Sequence, residues 1–216
     1  MELNASALAD TQAAFDGVAP DYGRQNAENP ILAAMRRRTT AAITMRVPPG
    51  AHLLDLGCGP GLDAVHLARL GYRVTAIDAA RAMVEQARAH ARRNGCGADV
   101  RVRVLGIHEL DRLGALRFDA AYSNFGALNC VPQLETTAHL LAAHLSPGAP
   151  LIASVIGRWC PWELALYAAR RDWTRMRVRL HDGFVPVPLA GRTVWTRYYT
   201  PANRSIQAKG IDPDNV

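Results

Sequence analysis

The feature that most constrains this chain is a short apolar run, residues 53–56, that contains an acid and leads into a glycine-rich turn. Gly57, Gly59 and Gly61 follow the run at alternate positions, and an amphipathic segment comes next. This pattern predicts a strand, a tight turn and a helix. Glycine lets the backbone adopt positive φ and leaves no Cβ in the way of a ligand, and the helix N-terminus offers free N–H groups.

The spacing of these glycines distinguishes between two kinds of nucleotide ligand. Dinucleotide-binding turns carry G-x-G-x-x-G with a pyrophosphate at the helix end, whereas this turn is G-x-G-x-G and has Asp55 two residues before its first glycine. A carboxylate there repels pyrophosphate but attracts an ammonium group. A second apolar run, residues 72–78, ends at Asp78, and an acid in that position suits the two hydroxyls of a ribose. A ligand with an amine, a carboxylate and a ribose, but no phosphate, is S-adenosylmethionine.

Residues 53–61 and Asp78 resemble the first two motifs of the class I S-adenosylmethionine-dependent methyltransferases. The resemblance implies an α/β fold with a Rossmann-like, doubly wound, mainly parallel sheet. The seventh strand that is usual in the family is expected to be short or missing, because too few residues follow the last predicted β segment. The same resemblance implies one structural domain, with an N-terminal helical segment at 1–47 and the cofactor-binding part at 48–216, including a lid helix around 160–178. The implied activity is methyl transfer to a small-molecule acceptor at O, N or C, with S-adenosylhomocysteine as the product.

The resemblance also implies which residues bind the cofactor. Asp55 would favour the methionine amine through water or the local field, and Asp78 would bind the ribose. Tyr22 is a candidate for an aromatic ring over the cofactor, or else it anchors its segment to the core. Ile107 replaces the acid that often contacts the adenine in related enzymes. The complete predicted cofactor set is Tyr22, Asp55, Gly57, Cys58, Gly59, Gly61, Asp78, Ala79, Met83, Ile107, His108, Ser123, Asn124 and Phe125.

The substrate candidates follow from the insertion after the fifth strand, which commonly covers the acceptor pocket in small-molecule methyltransferases. Trp159 and Trp162 would form an apolar wall and Glu163 a polar contact, unless the aromatic residues only anchor the lid helix. Asn129, in the loop after the fourth strand, would border the substrate. No catalytic residue is assigned, because a general base matters only for a hydroxyl of high pKa and no histidine is placed for that task. No metal site is expected, since the acids and histidines do not cluster at ligand spacing.

Periodicity predicts two N-terminal helices, at 1–16 and 30–46, joined by a loop that contains Pro20 and Tyr22. The three arginines at 36–38 are interpreted as a solvated face of the second helix. Near the other end, two β segments are predicted at 184–189 and 192–199, followed by a polar tail at 201–205. An unpaired sheet edge there would favour a homodimer.

Composition narrows the class of protein further. The formal charge is +6, but Lys209 is the only lysine, so arginine and heavy alanine usage indicate coding bias more than a nucleic-acid partner. Asn124 is also not followed by the Pro-Pro-Tyr pattern of methyltransferases that act on nucleic-acid bases. No apolar run approaches the roughly 20 residues that span a bilayer, and no signal-peptide pattern opens the sequence. A cytoplasmic protein with reduced thiols and no membrane partner is expected.

Three alternatives stay open. The chain could be a non-catalytic S-adenosylmethionine-binding domain or partner subunit, because function depends on the site and not on the fold. It could be an NAD-dependent oxidoreductase, although the glycine spacing and the lack of a later Tyr-x-x-x-Lys pattern count against this. The third alternative is an RNA methyltransferase, whose binding to a polyanionic competitor would weaken as salt rises.

Overall fold

The computed structural model describes residues 3–200, and the predicted polar tail at 201–205 lies outside this range. Five strands form a parallel sheet: β1 (His52–Leu56), β2 (Arg73–Asp78), β3 (Val100–Val104), β4 (Ala120–Ser123) and β5 (Leu151–Ala153). Their order is β3-β2-β1-β4-β5. This doubly wound α/β sheet confirms the predicted fold class.

Helices cover both faces of the sheet, and a small hairpin lies apart from it. The hairpin strands β6 (Phe184–Leu189) and β7 (Arg192–Arg197) are antiparallel and form their own two-stranded sheet. Two short 3₁₀ helices follow β3 and β4, at Ile107–Leu113 and Ala127–Cys130. The α-helices are α1 (Ala5–Glu28), α2 (Pro30–Thr44), α3 (Leu62–Arg69), α4 (Arg81–Arg93), α5 (Leu134–His144), α6 (Pro161–Ala169) and α7 (Trp173–Leu180).

The core explains why β1 is apolar along most of its length. Leu53 packs in the cluster formed with α3 and α4, whereas Leu54 and Leu56 pack on the opposite face with α5 and the 3₁₀ helix after β3. All three leucines are fully buried. A parallel strand buried on both faces cannot alternate between apolar and polar residues.

The sheet order places a crevice beside the glycine-rich turn. β1 pairs in parallel with β2 on one side and with β4 on the other, so the direction of strand addition reverses between β1 and β4. In open α/β sheets, ligands bind outside the carboxyl ends of the strands at this switch point. The turn at residues 57–61 leaves β1 at that end of the sheet.

The N-terminal loop predicted around Pro20 and Tyr22 is wrong, because α1 continues through both residues as one helix. Tertiary contacts override the local signal of the proline and the glycines. Ala19 is fully buried in a cluster with Met83 of α4. Asp16 accepts a hydrogen bond from the Ala82 N–H at 2.8 Å and so satisfies a free donor in the first turn of α4.

The single lid helix predicted around 160–178 is also wrong, because the segment forms the two helices α6 and α7. The break is at Arg171, which has a φ of 54°. Asp172 then accepts a hydrogen bond from the Arg175 N–H at 3.0 Å and caps α7, as aspartate commonly does at a helix start.

Among residues 3–200, no helix combines the length and hydropathy that crossing a bilayer requires. Over the same range, no three His, Cys, Asp or Glu side chains converge as metal ligands would.

Candidate functional site

A cavity of about 570 Å³ lies at the carboxyl ends of the central strands. Its walls are the turn after β1, the end of β2, the 3₁₀ helix after β3, the loop after β4, and α1. Most of the residues predicted to bind a cofactor line it. They are Tyr22, Asp55, Gly57, Cys58, Gly59, Asp78, Ala79, Met83, Ile107, His108, Asn124 and Phe125.

Two members of the predicted set do not line the cavity. The hydroxyl of Ser123 is fully buried and donates to the Leu56 carbonyl at 2.9 Å. Gly61 starts α3 and packs against α4, where an added Cβ would lie 2.9 Å from the Cβ of Ala87. Both residues therefore support neighbouring elements and do not reach the cavity themselves.

The other two glycines of the turn have different tasks. Gly57 has a φ of +78°, and a Cβ there would lie 2.4 Å from the Cβ of Ala127, so no larger residue fits without a shift of the backbone. Gly59 has a φ of +51°, and a Cβ there would lie 4.0 Å from the ring of Tyr22, an ordinary van der Waals distance. At Gly59, the left-handed backbone therefore favours glycine more than the available space does.

Asp55 presents a buried carboxylate to this cavity. Only 2% of the residue is exposed, and within residues 3–200 its Oδ2 atom makes no hydrogen bond of normal geometry. Burial, followed by the nearby charge of Asp63, raises the pKa of Asp55 well above its usual value, although the Tyr122 hydroxyl on the neighbouring strand opposes the shift. A buried unpaired carboxylate is unfavourable unless a cation accompanies it. The atom is thus suited to a ligand that carries an ammonium group.

The raised pKa of Asp55 predicts a specific pH dependence of stability. An acid whose pKa is higher in the folded state destabilises the fold once the unfolded chain has lost its proton. The free energy of unfolding of the ligand-free protein should therefore decrease as pH rises from about 4 toward the raised pKa. Thermal unfolding of the wild type and of Asp55→Asn across this range isolates the contribution of Asp55, because other buried acids are common to both proteins. Parallel curves for the two proteins would contradict this assignment.

Asp78 holds the turn and the start of α4 together. Its Oδ2 accepts a hydrogen bond from the Gly59 N–H at 2.8 Å, and its Oδ1 accepts one from the Ala80 N–H at 2.9 Å. Each carboxylate oxygen retains a further lone pair. Burial raises the pKa of Asp78 above its usual value, although the two N–H groups oppose this effect. Asp78 therefore shapes the site and can also accept hydrogen bonds from ligand hydroxyls.

Arg36 is a cavity residue that the sequence interpretation missed. The prediction of a solvated face holds for Arg37 and Arg38, which are exposed, but the Arg36 side chain is only 16% exposed. Its Nε lies 3.3 Å from Oδ1 of Asp63, and its guanidinium carbon lies 4.8 Å from the ring centroid of Phe125. A signal was present, because Arg36 precedes Ile43, the fully buried residue of α2, by seven residues and so lies on the same face of the helix.

Asp63 and Asn124 connect Arg36 to the sheet. The Asn124 amide nitrogen lies 3.5 Å from Oδ2 of Asp63, and the Asn124 amide oxygen accepts hydrogen bonds from Thr39 at 3.2 Å and Ser154 at 2.8 Å. Burial raises the pKa of Asp63 above its usual value, although the charge of Arg36 opposes the shift. Asp63 was not predicted as a site residue. The network fixes one polar wall of the cavity.

Replacing Arg36 by Gln is expected to reduce the free energy of unfolding by about 2 kcal/mol, because Asp63 then keeps a buried charge without its cation. Arg37→Gln removes the same charge from the exposed side of α2 and should change stability by less than about 0.5 kcal/mol. Urea denaturation of both variants measures the difference. Equal effects would show that the Arg36–Asp63 pair does not contribute to the fold.

The four predicted substrate residues lie outside the cavity. Asn129 is fully buried and donates its amide N–H groups to the carbonyls of Ile156 and Arg197, at 2.9 and 2.6 Å. Trp159 and Trp162 are 62% and 80% exposed. Glu163 pairs with Arg179 at 2.9 Å. Their position has a physical cause: α6 and α7 pack on each other, and α1, with Leu8 and Phe15, forms the cavity wall that the lid was expected to form.

Comparisons with known proteins agree with this geometry. Residues 53–148 match the family model described as a methyltransferase domain. The match covers less than half of the chain, so it relates this segment, and not the whole chain, to methyltransferase domains. The chain is 39% identical over 111 residues to the ubiquinone biosynthesis O-methyltransferase of Xanthomonas axonopodis pv. citri (strain 306), a segment that is 51% of this chain and 45% of that protein. The corresponding protein of Paramagnetospirillum magneticum is 35% identical over 148 residues, 65% of this chain and 57% of that one.

The solved structure of a DhpI–SAM–HEP complex has the same fold as this chain. It superposes with a TM-score of 0.66 at 17% identity, and the alignment covers 93% of this chain and 86% of that chain. By contrast, this chain spans about half the length of the curated relatives that it matches.

Proposed function

We propose that this chain transfers a methyl group from S-adenosylmethionine to a small-molecule acceptor. The observation that carries the proposal is the unpartnered, buried Oδ2 of Asp55 beside the glycine turn. The ammonium group of the cofactor's methionine portion is the partner that this oxygen lacks. The names of the curated relatives and of the solved complex support the same cofactor and reaction class.

The charges of the cavity suit an α-amino acid. Asp55 supplies a negative charge for the ammonium group, and Arg36 supplies a positive charge on another part of the wall. Arg36 uses Nη1 to donate to the Asn26 carbonyl at 3.0 Å and its Nε lies against Asp63. We assign its Nη2 to the cofactor carboxylate, because a planar guanidinium binds carboxylates well.

The remaining walls suit adenosine. We assign the second lone pairs of Asp78 to the ribose hydroxyls, as expected for an acid at the end of the second strand. Met83 and Ile107, both buried at the cavity wall, would pack against the adenine. Tyr22 would lie over the ligand above Gly59. These contacts leave the reactive centre between the glycine turn and the loop at Phe125.

When bound, the cofactor would supply an electrophilic methyl carbon, to which the acceptor would bond in line as the S–CH3 bond breaks and S-adenosylhomocysteine leaves. The protein contributes position and a shielded site. The apolar side chains of Leu8 and Phe15 on α1 line the cavity and would restrict water there. Since the curated relatives are named O-methyltransferases, we propose a hydroxyl group as the acceptor. The acceptor proton would leave to solvent, and no residue is assigned as its base.

Two further features stay proposals. We place the reaction in the cytoplasm, because the four cysteines are all free thiols, as is usual in a reducing compartment. A homodimer remains a prediction that follows from the position of β5 at the edge of the sheet.

The test is calorimetric titration of the purified chain with S-adenosylmethionine, S-adenosylhomocysteine and NAD, followed by a radiolabelled methyl-transfer assay with small phenols, alcohols and amines. Micromolar binding of both adenosyl ligands and labelling of a hydroxyl acceptor are expected. Binding of NAD alone would indicate the oxidoreductase alternative. Adenosyl binding with no transfer to any acceptor would indicate a binding subunit.

A further inference from the structure

The surface of residues 155–180 is unusually apolar. Six of the nine large hydrophobic side chains that are exposed within residues 3–200 lie in this segment. Scattered exposed apolar residues need no explanation, whereas a concentration of them commonly marks an interaction site. The six are Val155, Ile156, Trp159, Trp162, Trp173 and Leu180.

The charge on this surface has one sign. Apart from Thr174, every exposed side chain between residues 155 and 180 is apolar or an arginine. The two acids of the segment, Glu163 and Asp172, are half-buried and paired with Arg179 at 2.9 Å and Arg175 at 3.3 Å. The exposed arginines are Arg170, Arg171, Arg175 and Arg177. Within the described part of the chain, three of them have no ion-pair partner, namely Arg170, Arg171 and Arg177.

The two helices that carry this surface are held in a defined arrangement. Glu163, at the start of α6, pairs with Arg179 near the end of α7, so the helices run antiparallel. Arg179 also lies over the ring of Tyr198, 4.8 Å from its centroid, which ties the pair to the chain after β7. On α6, Trp162, Ala165 and Ala169 recur at helical spacing and are all exposed. We call the exposed residues of 155–180 the α6–α7 surface.

We propose that the α6–α7 surface binds a negatively charged lipid bilayer from one side. Tryptophan rings favour the interface between headgroups and acyl chains, and arginines are attracted to anionic headgroups. The exposed aliphatic side chains at positions 155, 156 and 180 would enter the acyl boundary, as on helices that lie in the plane of a membrane. Nucleic acid would use the arginines and the indoles but would gain nothing from the aliphatic side chains. Such surface contact needs no membrane-spanning helix, of which residues 3–200 contain none, and it does not depend on the proposed methyl transfer.

The experiment is co-sedimentation of the full chain with sucrose-loaded vesicles of phosphatidylglycerol and phosphatidylcholine, compared with vesicles of phosphatidylcholine alone. The protein is expected to bind the anionic vesicles and to dissociate as salt is raised. Arg170→Gln/Arg171→Gln/Arg177→Gln and Trp162→Ala/Trp173→Ala should each weaken the partition at least tenfold. Brominated lipids should quench the fluorescence of the wild type but much less that of the tryptophan variant.

The matched controls remove equivalent groups elsewhere on the surface. Arg37→Gln/Arg38→Gln removes exposed arginines from α2, and Ile31→Ala/Met45→Ala removes side chains that are 70% and 81% exposed. Neither control should change the partition, and circular dichroism should show that all variants are folded. Equal binding to neutral vesicles, or none to anionic ones, would overturn the proposal. So would a tryptophan-dependent dimer in sedimentation velocity, or tryptophan-dependent binding of a labelled RNA oligonucleotide, with no partition to lipid.

Discussion

Replacing Asp55 by Asn is expected to weaken binding of S-adenosylmethionine by roughly 100-fold, since a hydrogen bond to a charged group contributes about 1.5–3 kcal/mol. The substitution keeps the volume of the side chain but removes its negative charge. Oδ2 of Asp55, which has no hydrogen-bond partner in residues 3–200, then no longer attracts the ammonium group of the ligand. The fold should be kept, because the same substitution removes an unfavourable buried carboxylate. Isothermal titration calorimetry measures the change.

The choice of ligand and control makes this prediction specific. Methylthioadenosine lacks the amino-acid portion, so its affinity should be nearly the same in the wild type and in Asp55→Asn. The control variant Asp119→Asn alters an exposed carboxylate whose Oδ2 accepts the His52 N–H at 2.8 Å, at the opposite end of β1. It should not affect either ligand. A loss of methylthioadenosine binding in Asp55→Asn would mean that Asp55 does not lie beside the methionine portion.

Gly57→Ala is expected to reduce the free energy of unfolding by about 3 kcal/mol, with roughly 1–2 kcal/mol from the left-handed backbone and the rest from overpacking. The clash is with the Cβ of Ala127, 2.4 Å from the new methyl group. Relief of this clash would displace the turn beside Asp55, so cofactor binding should fall as well. Chemical denaturation and calorimetry measure the two effects.

Two matched variants separate backbone strain from the clash. Gly148→Ala places alanine at a similar φ of +76° with no atom within 4 Å of the new Cβ, so only the backbone contribution should appear. In Gly57→Ala/Ala127→Gly, removal of the opposing methyl group should recover about 2 kcal/mol of stability relative to the sum of the single variants. Strict additivity of the two single effects would show that the contact is not the cause.

The cavity residues at strand ends and in the glycine turn could be predicted from the sequence. The acid, the three glycines and Asp78 are placed by strand ends and a tight turn, which are local properties of the chain. For the acid and the glycines, strand periodicity and glycine spacing contain enough information. Tyr22 was predicted beside the cavity only from the resemblance to methyltransferases, and the loop predicted around it is a helix.

The rest of the site depends on which surfaces pack together. Arg36 faces inward because it pairs with Asp63 and lies over the ring of Phe125, two residues that are distant from it in sequence. The predicted substrate residues lie outside the cavity for a related reason, since apolar character alone does not tell whether Trp162 faces a cavity or the solvent. The direction of α6 and α7 is set by their contact with each other, for which the sequence offers no local signal.

The wall that α1 contributes to the cavity depends on a strand that is synthesised much later. Thr11 accepts a hydrogen bond from the Trp195 N–H at 3.0 Å, across 184 residues of sequence. During translation the sheet strands and the glycine turn emerge well before β7, and contacts of such long separation are slow to form. In the nascent chain, the cavity is therefore incomplete until α1 contacts β7, the last described strand. Any truncation that removes the hairpin should leave the sheet and the contacts between α1 and α4 in place, but it would remove the contact of Thr11 that fixes the first turns of α1.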